Sequence, residues 1–352
     1  MRQGDMNGGH GVWALAWQRY RQDRVGLVAL AVVLLFGGLI FLTAWGWVAA
    51  DWQRERALPY APPDWIGPAP ALAPILAAPS GPVLDLSAID PLAPRYAAWA
   101  ERTAYWRAQD GKVGKDGAPT MVRASTLPFG ADRLGRDVWA KAVQGTRISV
   151  TVGVLAALLA TLIGTTLGAL AGFWGGRVGD VLEGFYNVFT AIPGILLILA
   201  CAAVMGRGIT SVVVILGLTG WTGVYRLVRA EFMKHAGRDY VRAAEAIGVS
   251  PGARMLRHIL PNVSHGVLVQ LSILVVGFIK YEVILSYLGL GVAIDQVSWG
   301  TLLAEAQSEL MLGCWWQLAT ATAFMALFVT AFALMTDALR DALDPRLRGL
   351  EA

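Results

Sequence analysis

The sequence predicts an all-α, polytopic membrane protein with six transmembrane helices. Of its 352 residues, 56% are hydrophobic and only 15% are charged, whereas a soluble domain carries about a quarter charged residues. The hydrophobic residues form blocks that have no Asp, Glu, Lys or Arg: 25–50, 148–176, 184–206, 208–225 and 310–336. A further block, 266–294, carries only Lys280 and Glu282. Each block is about as long as the ~20 residues that a helix needs to cross the hydrocarbon layer, and lipid offers no partner to backbone groups outside a helix.

The blocks predict spans at 25–50, 148–174, 184–206, 209–228, 266–289 and 312–336. The first is expected to be an uncleaved anchor, because its 26-residue run is longer than the apolar core of a signal peptide. Basic residues precede span 1 (Arg2, Arg19, Arg21, Arg24) and follow span 4 (Arg226, Arg229, Lys234, Arg238, Arg242, Arg254, Arg257). Short basic segments stay in the cytoplasm. The tail 1–24, the C-terminus 346–352 and the loop after span 4 are therefore expected to be cytoplasmic.

Residues 51–147 are then expected to form a long external insert between spans 1 and 2, ahead of a permease core at 148–345. Ten of the 16 prolines lie between Pro59 and Pro94, which predicts extended or turn-rich backbone there. Two interpretations stay open for this insert. It is either a surface lid without chemistry or a docking surface for a partner that delivers substrate.

Three features within the spans predict more than anchoring. Gly164, Gly168 and Gly172 recur every four residues in span 2, a spacing that lets another helix approach closely. Pro193 predicts a kink in span 3. Lys280 is expected near the outer interface and Glu282 in the protein interior. We take Pro193, Glu282 and Ser286 as candidates for the translocation path or a gate.

We call residues 230–262 the basic loop. Residues 239–247 favour a helix, Gly248 a C-terminal stop, and Ser250-Pro251 the start of a second helix. We expect Pro261-Asn262 to close that helix at Leu260. The charges of the basic loop exclude this loop from the hydrocarbon. The apolar stripe beside them suits either anionic headgroups or a groove on a cytoplasmic protein, and the close approach allowed by alanines favours the second.

This loop resembles the EAA loop of ABC importer permeases, whose pattern here is carried by Ala243, Ala244, Gly248, Leu260 and Pro261. Residues 258–262 (HILPN) resemble the dipeptide/oligopeptide/nickel branch. Arg242 stands at the position of the pattern's Glu. Two further stretches match that branch: 285–292 with 298–300 (LSYLGLGV and SWG), and 129–150. In the second of these the matching residues before span 2 include Gly130, Asp132, Gly135, Arg136 and Asp137.

The resemblance implies the type I ABC importer permease fold and a mechanical role without catalytic residues. The expected ATPase-coupling residues are Arg242, Ala243, Ala244, Gly248, Ser250, Arg254, Arg257, Leu260 and Pro261. It also implies as partners two ATPase subunits, a second permease that is a paralogue, an external substrate-binding protein and membrane lipid, but no nucleic acid. No P-loop exists in the sequence, so ATP and Mg are expected on the ATPase and no cofactor or metal on this chain.

Other classes of protein fit less well. A self-contained secondary transporter predicts inverted repeats and buried ionisable pairs, and the sequence gives no sign of either. A membrane scaffold needs no loop with this turn chemistry, and an intramembrane enzyme needs a catalytic constellation. The branch handles dipeptides, oligopeptides, nickel chelates and related solutes, and the sequence does not choose among them.

Overall fold

The computed structural model describes residues 17–68, 95, 99, 101–102 and 123–343. This part of the chain forms helices and a few isolated β-bridges, without strands. The helices are α1 (Arg24–Ala44), α2 (Val138–Trp174), α3 (Gly176–Thr190), α4 (Gly194–Met205), α5 (Ile209–Thr219), α6 (Thr222–Ala236), α7 (Asp239–Ala246), α8 (Pro251–Tyr287), α9 (Trp299–Leu310) and α10 (Trp316–Leu343).

Five helical segments of the described residues are long and apolar enough to span a membrane. They are α1, α2, α5 with α6, α8 and α10. The pair α3 and α4 supplies a sixth span when it is counted as one bent element, with an angle of 81° at the break. The all-α, six-span architecture predicted from the hydrophobic blocks is therefore confirmed.

Several helix ends differ from the predicted boundaries. Helix α2 begins at Val138 rather than at 148, and α8 begins at Pro251 rather than at 266. For α2 the reason is that a search for charge-free blocks stops at Arg147, which lies within the helix. For α8 the reason is that the prediction ends a separate short helix at Pro261-Asn262, where the helix continues instead. Lys141, in the first turn of α2, is almost fully buried and forms an ion pair with Glu305 of α9. At span 1 the helix ends at Ala44, and residues 45–50 form turns instead of the predicted last helical turns.

Helix α2 is the central element of the membrane bundle, and it packs against α1, α5, α6, α8, α9 and α10. Its closest neighbour is α6, and the predicted glycine stripe forms this contact. A Cβ atom at Gly164, Gly168 or Gly172 would lie 2.6–2.7 Å from a backbone carbonyl oxygen of the 221–229 segment. Only glycine leaves room for two backbones at this distance, so the stripe sets the position of α6, the helix that enters the basic loop.

Candidate functional site

The basic loop stands on an apolar base formed by three spans. The buried residues of this base come from α2, α6, α7 and α8: Ala169, Val224, Val228, Phe232, Val241, Ile259 and Val263. Met255 and Leu260 pack against them from the start of α8. Burying several such side chains contributes about 1.5–3 kcal/mol each. The loop is therefore anchored to the bundle as part of its packing.

The first helix of the loop, α7, ends in a Schellman motif. The amide of Val249 donates to the carbonyl of Ala244 (3.0 Å), and the amide of Gly248 donates to that of Glu245 (2.9 Å). Gly248 has φ = +85°, a left-handed conformation that glycine adopts without steric cost. A Cβ atom there would meet nothing within 4 Å. Backbone conformation, and not lack of space, therefore requires glycine at this turn.

The second helix begins as the sequence predicts but does not end where it predicts. Ser250 is the N-cap and Pro251 the first helical residue. The helix then continues through Pro261 to Tyr287, so the prediction that Pro261-Asn262 closes it is wrong. Residues 254–259 form a π-helical segment directly before Pro261. This wider turn accommodates a ring that would clash in a regular α-helix, and the Asn262 side chain donates to the His258 carbonyl (2.7 Å).

Arg254 braces the two helices of the loop against each other and against span 2. Its guanidinium lies 2.8 Å from Oε2 of Glu245 in α7 and 5.7 Å from the ring centroid of Phe173 in α2. The sequence analysis predicted neither partner. The ion pair could have been predicted, because a glutamate and an arginine on the two sides of a short turn carry opposite charges. Arg242 stands where the EAA pattern has a glutamate, and the ion pair between the two helices of the loop is formed by Glu245 with Arg254.

The expected coupling residues divide into an exposed and an inward-facing group. Arg242, Ala243, Gly248, Ser250, Arg257 and Pro261 are exposed, whereas Ala244 is buried and Arg254 and Leu260 are half-buried. Two apolar side chains beside the exposed group also face outward: Ile247 is 82% and Leu256 58% exposed. The loop thus presents an apolar and basic surface on a rigid base, which is suited to binding another protein.

Pro193 lies at the break in span 3. Its carbonyl accepts from the amides of Leu196 (2.9 Å) and Leu197 (3.1 Å), so it caps α4 while α3 points away at 81°. The predicted kink is confirmed. A role of Pro193 in the translocation path stays a prediction.

Glu282 and Ser286 lie inside the packed protein, as expected for Glu282. The Ser286 hydroxyl donates to Oε1 of Glu282 (2.6 Å), and the amide of Trp299 at the start of α9 donates to the Ser149 hydroxyl of α2 (3.2 Å). The indole of Trp299 donates to the Ala142 carbonyl (3.3 Å). The LSYLGLGV and SWG segments therefore join α8 and α9 to α2, and a place for Glu282 and Ser286 on the path stays a prediction.

Residues 54–137 form a compact unit of their own, and the segment before span 2 makes a turn within it. Asp132 is fully buried, and its carboxylate accepts from the amides of Leu134 and Arg136 (both 2.9 Å) and from Nε of Arg136 (2.6 Å). Gly130 and Gly135 have positive φ, and Asp137 pairs with Ala131 in a β-bridge. These five residues build a turn. Most of the proline-rich run lies outside the described residues.

A six-span helical bundle that carries a braced, exposed loop after span 4 defines a class of proteins, the permease subunits of ABC importers. The chain belongs to the family of binding-protein-dependent transport system inner membrane components, whose model matches residues 164–349. It is a multi-pass inner-membrane transport subunit that works with a second permease and with ATPase subunits. ATP hydrolysis takes place on those separate chains.

Curated relatives agree with this assignment. The dipeptide transport system permease protein DppC of Bacillus subtilis is 36% identical over 62% of this chain and 69% of its own length. The oligopeptide permease OppC of Escherichia coli K12 is 37% identical over 62% of this chain and 72% of its own. The DppC protein of Lactococcus lactis is 30% identical over 94% of this chain and 90% of its own, so that alignment extends across the insert region.

A solved structure of the inward-facing MetNI methionine ABC transporter aligns with 58% of this chain and 96% of the MetNI chain. The TM-score of this alignment is 0.48, and the sequence identity is 16%.

Proposed function

We propose that the basic loop is the element through which this permease is driven by its ATPase. The observation that carries the proposal is the combination of an exposed apolar tip with a braced base. Ile247 is 82% exposed, and leaving such a side chain in water forgoes about 1.5–3 kcal/mol that a partner's groove would recover. A tip that is fixed to three spans transmits force, whereas a tip on a mobile loop would absorb it.

The proposed cycle follows the family mechanism. Two permeases, this chain and a paralogue, each insert a basic loop into a cleft on one of two ATPase subunits. Closure of the ATPase pair moves the loops together and turns the spans from inward-open to outward-open. An external binding protein then releases its ligand into the cavity. ATP and Mg stay on the ATPase subunits, and this chain binds no cofactor.

The Gly248→Asp variant tests the coupling role. The new side chain strains a backbone with φ = +85° and places a negative charge on a basic surface. Uptake by the reconstituted importer should fall about 10-fold or more, which corresponds to loss of a coupling free energy in the range of about 1–3 kcal/mol. The amount of protein in the membrane should not change.

Gly237→Asp is the matched control for this variant. Gly237 is also exposed and has φ = −84°. The substitution Gly237→Asp therefore adds the same charge without straining the backbone. Uptake by Gly237→Asp should stay within about twofold of the parent. Normal uptake by Gly248→Asp would contradict the coupling role.

We propose that the basic loop and both termini face the cytoplasm, as the basic residues predict. After replacement of Cys201 and Cys314, Ile247→Cys should react with a membrane-impermeant maleimide in inside-out vesicles and not in intact cells. Reaction in intact cells would reverse the proposed orientation. Self-contained uphill transport by the purified chain alone in liposomes would overturn the ABC mechanism as a whole.

We propose that peptides are the substrates, because relatives of this chain are named for dipeptide and oligopeptide transport. The test is stimulation of ATP hydrolysis in the complete importer by its binding protein loaded with a defined ligand. Di- and oligopeptides should stimulate hydrolysis, and nickel chelates should not. The opposite ranking would move the chain to the metal-transporting side of the family.

A further inference from the structure

Helix α3, the first half of the broken span, has little packing in this chain. Of its 15 residues only Gly179 is buried. It is joined to α4 through the break at residues 191–193, with an angle of 81°. A helix that buries so little of its surface and adjoins a break can change its orientation unless specific contacts hold it.

Helix α3 packs against the end of α2, and its aromatic and charged contacts come from α6 and the residue before it. Oε2 of Glu183 accepts from the Tyr225 hydroxyl (3.2 Å) and lies 3.1 Å from Nη1 of Arg229. Tyr186 stacks on Tyr225, with ring centroids 5.2 Å apart and planes at 24°. Phe185 stacks on Trp221 at 5.6 Å and 14°. The three residues at 221, 225 and 229 are four apart, so they form one stripe that faces α3.

This stripe belongs to the helix that enters the basic loop. Helix α6 ends at Ala236, and α7 of the loop begins at Asp239. The backbone of the same three residues, Trp221, Tyr225 and Arg229, lies against Gly164, Gly168 and Gly172 of α2. Any displacement of the loop therefore moves α6, and the stripe passes this displacement on to α3.

We propose that Glu183 is a positioning residue that couples the hinged half-span α3 to the ATP-driven basic loop. The inference rests on the proposed coupling role of that loop. The ion pair suits a link that is remade in each cycle, because both side chains are about one-third exposed, Arg229 31% and Glu183 35%, and pairs of that exposure hold weakly. The aromatic stacks keep α3 in register while the pair is broken.

The test measures transport per ATP hydrolysed in the complete importer, reconstituted with its second permease, its ATPases and its binding protein. Glu183→Gln should lower this ratio by about fivefold or more while ATP hydrolysis continues. The charge-exchanged double variant, Glu183→Arg with Arg229→Glu, should restore it well above either single variant. A merely structural role would lower assembly and hydrolysis together, and charge exchange would not correct the ratio.

Asp180→Asn is the matched control, because Asp180 is an exposed acidic residue of the same helix α3 and removing it deletes an equal charge from that helix. Its ratio should match that of the parent protein. Tyr225→Phe serves as a second variant, since it removes one hydrogen bond to Glu183 and keeps the ring stack; it should lower the ratio by less than Glu183→Gln.

Two results would overturn the proposal. One is a parental ratio in both Glu183→Gln and Tyr225→Phe. The other is a double variant that is no better than Glu183→Arg or Arg229→Glu alone. Failure of the proposed coupling function is distinguishable, because Gly248→Asp would then transport normally, whereas failure of the Glu183 link alone leaves the loss in Gly248→Asp unchanged.

Discussion

Spans 2 and 3 follow one another in the chain and are both rich in apolar residues, yet they relate to the rest of the protein in opposite ways. Helix α2 buries 21 of its 37 residues. Helix α3 buries one of its 15 residues and α4 two of its 12. Span 2 is a frame against which other helices are fixed, whereas span 3 is broken and open on most of its surface. Alternating access requires both kinds of element, one that holds position and one that changes it.

The two spans also differ in their ion pairs, and the largest predicted effect tests this difference. In α2 Lys141 is 1% exposed in its pair with Glu305. Lys141→Ala removes the buried partner of Glu305, which is itself 28% exposed and keeps a hydrogen bond from Gln317, and should lower the free energy of unfolding by about 1.5–3 kcal/mol. Thermal unfolding of the detergent-solubilised chain measures it.

Arg229→Ala is the comparison for span 3. Its pair with Glu183 is about one-third exposed on each side, so solvent screening should limit the loss to about 1 kcal/mol or less. Equal losses for the two variants would mean that spans 2 and 3 are held equally firmly.

The second prediction concerns the helix contact that fixes α6 to the frame. A Cβ atom at Gly168 would lie 2.7 Å from the Tyr225 carbonyl oxygen. Gly168→Ala therefore forces two backbones apart and should lower the free energy of unfolding by about 1–3 kcal/mol. The loss should appear as a lower midpoint in the same unfolding experiment. An unchanged midpoint would show that α2 and α6 separate easily, contrary to their role as a frame.

Sequence patterns predicted the features that local chemistry determines. The apolar blocks gave six spans because length and charge suffice to recognise them. The glycine spacing predicted a close contact with another helix, which proves to be α6, and Pro193 predicted a kink in span 3. The turn at Gly248 and the start at Ser250-Pro251 followed from capping preferences.

The features that escaped prediction depend on contacts between distant parts of the chain. A charge-free window begins after Arg147 and so places the start of span 2 too late. The helix includes Arg147 and also the buried Lys141, whose charge is paired with Glu305, 164 residues away. Pro261 is tolerated within a helix because the preceding turn is π-helical, which no local pattern specifies. The link from Glu183 to α6 lies just outside the block that defined span 3, and only the fold brings its partners together.

The smallest predicted effect is a gain in stability rather than a loss, and it tests whether the surface of span 3 is unpacked. Gly184 lies in α3, and a Cβ atom there would meet nothing within 4 Å. Gly184→Ala should raise the free energy of unfolding of the isolated chain by about 0.5–1 kcal/mol, because alanine loses less backbone entropy than glycine when it is fixed in a helix. Gly168→Ala is its natural counterpart, since the same methyl group is added to a packed helix in one case and to an open one in the other. If both variants lowered the unfolding midpoint alike, α3 would be packed as tightly as α2, and the hinged half-span would not exist.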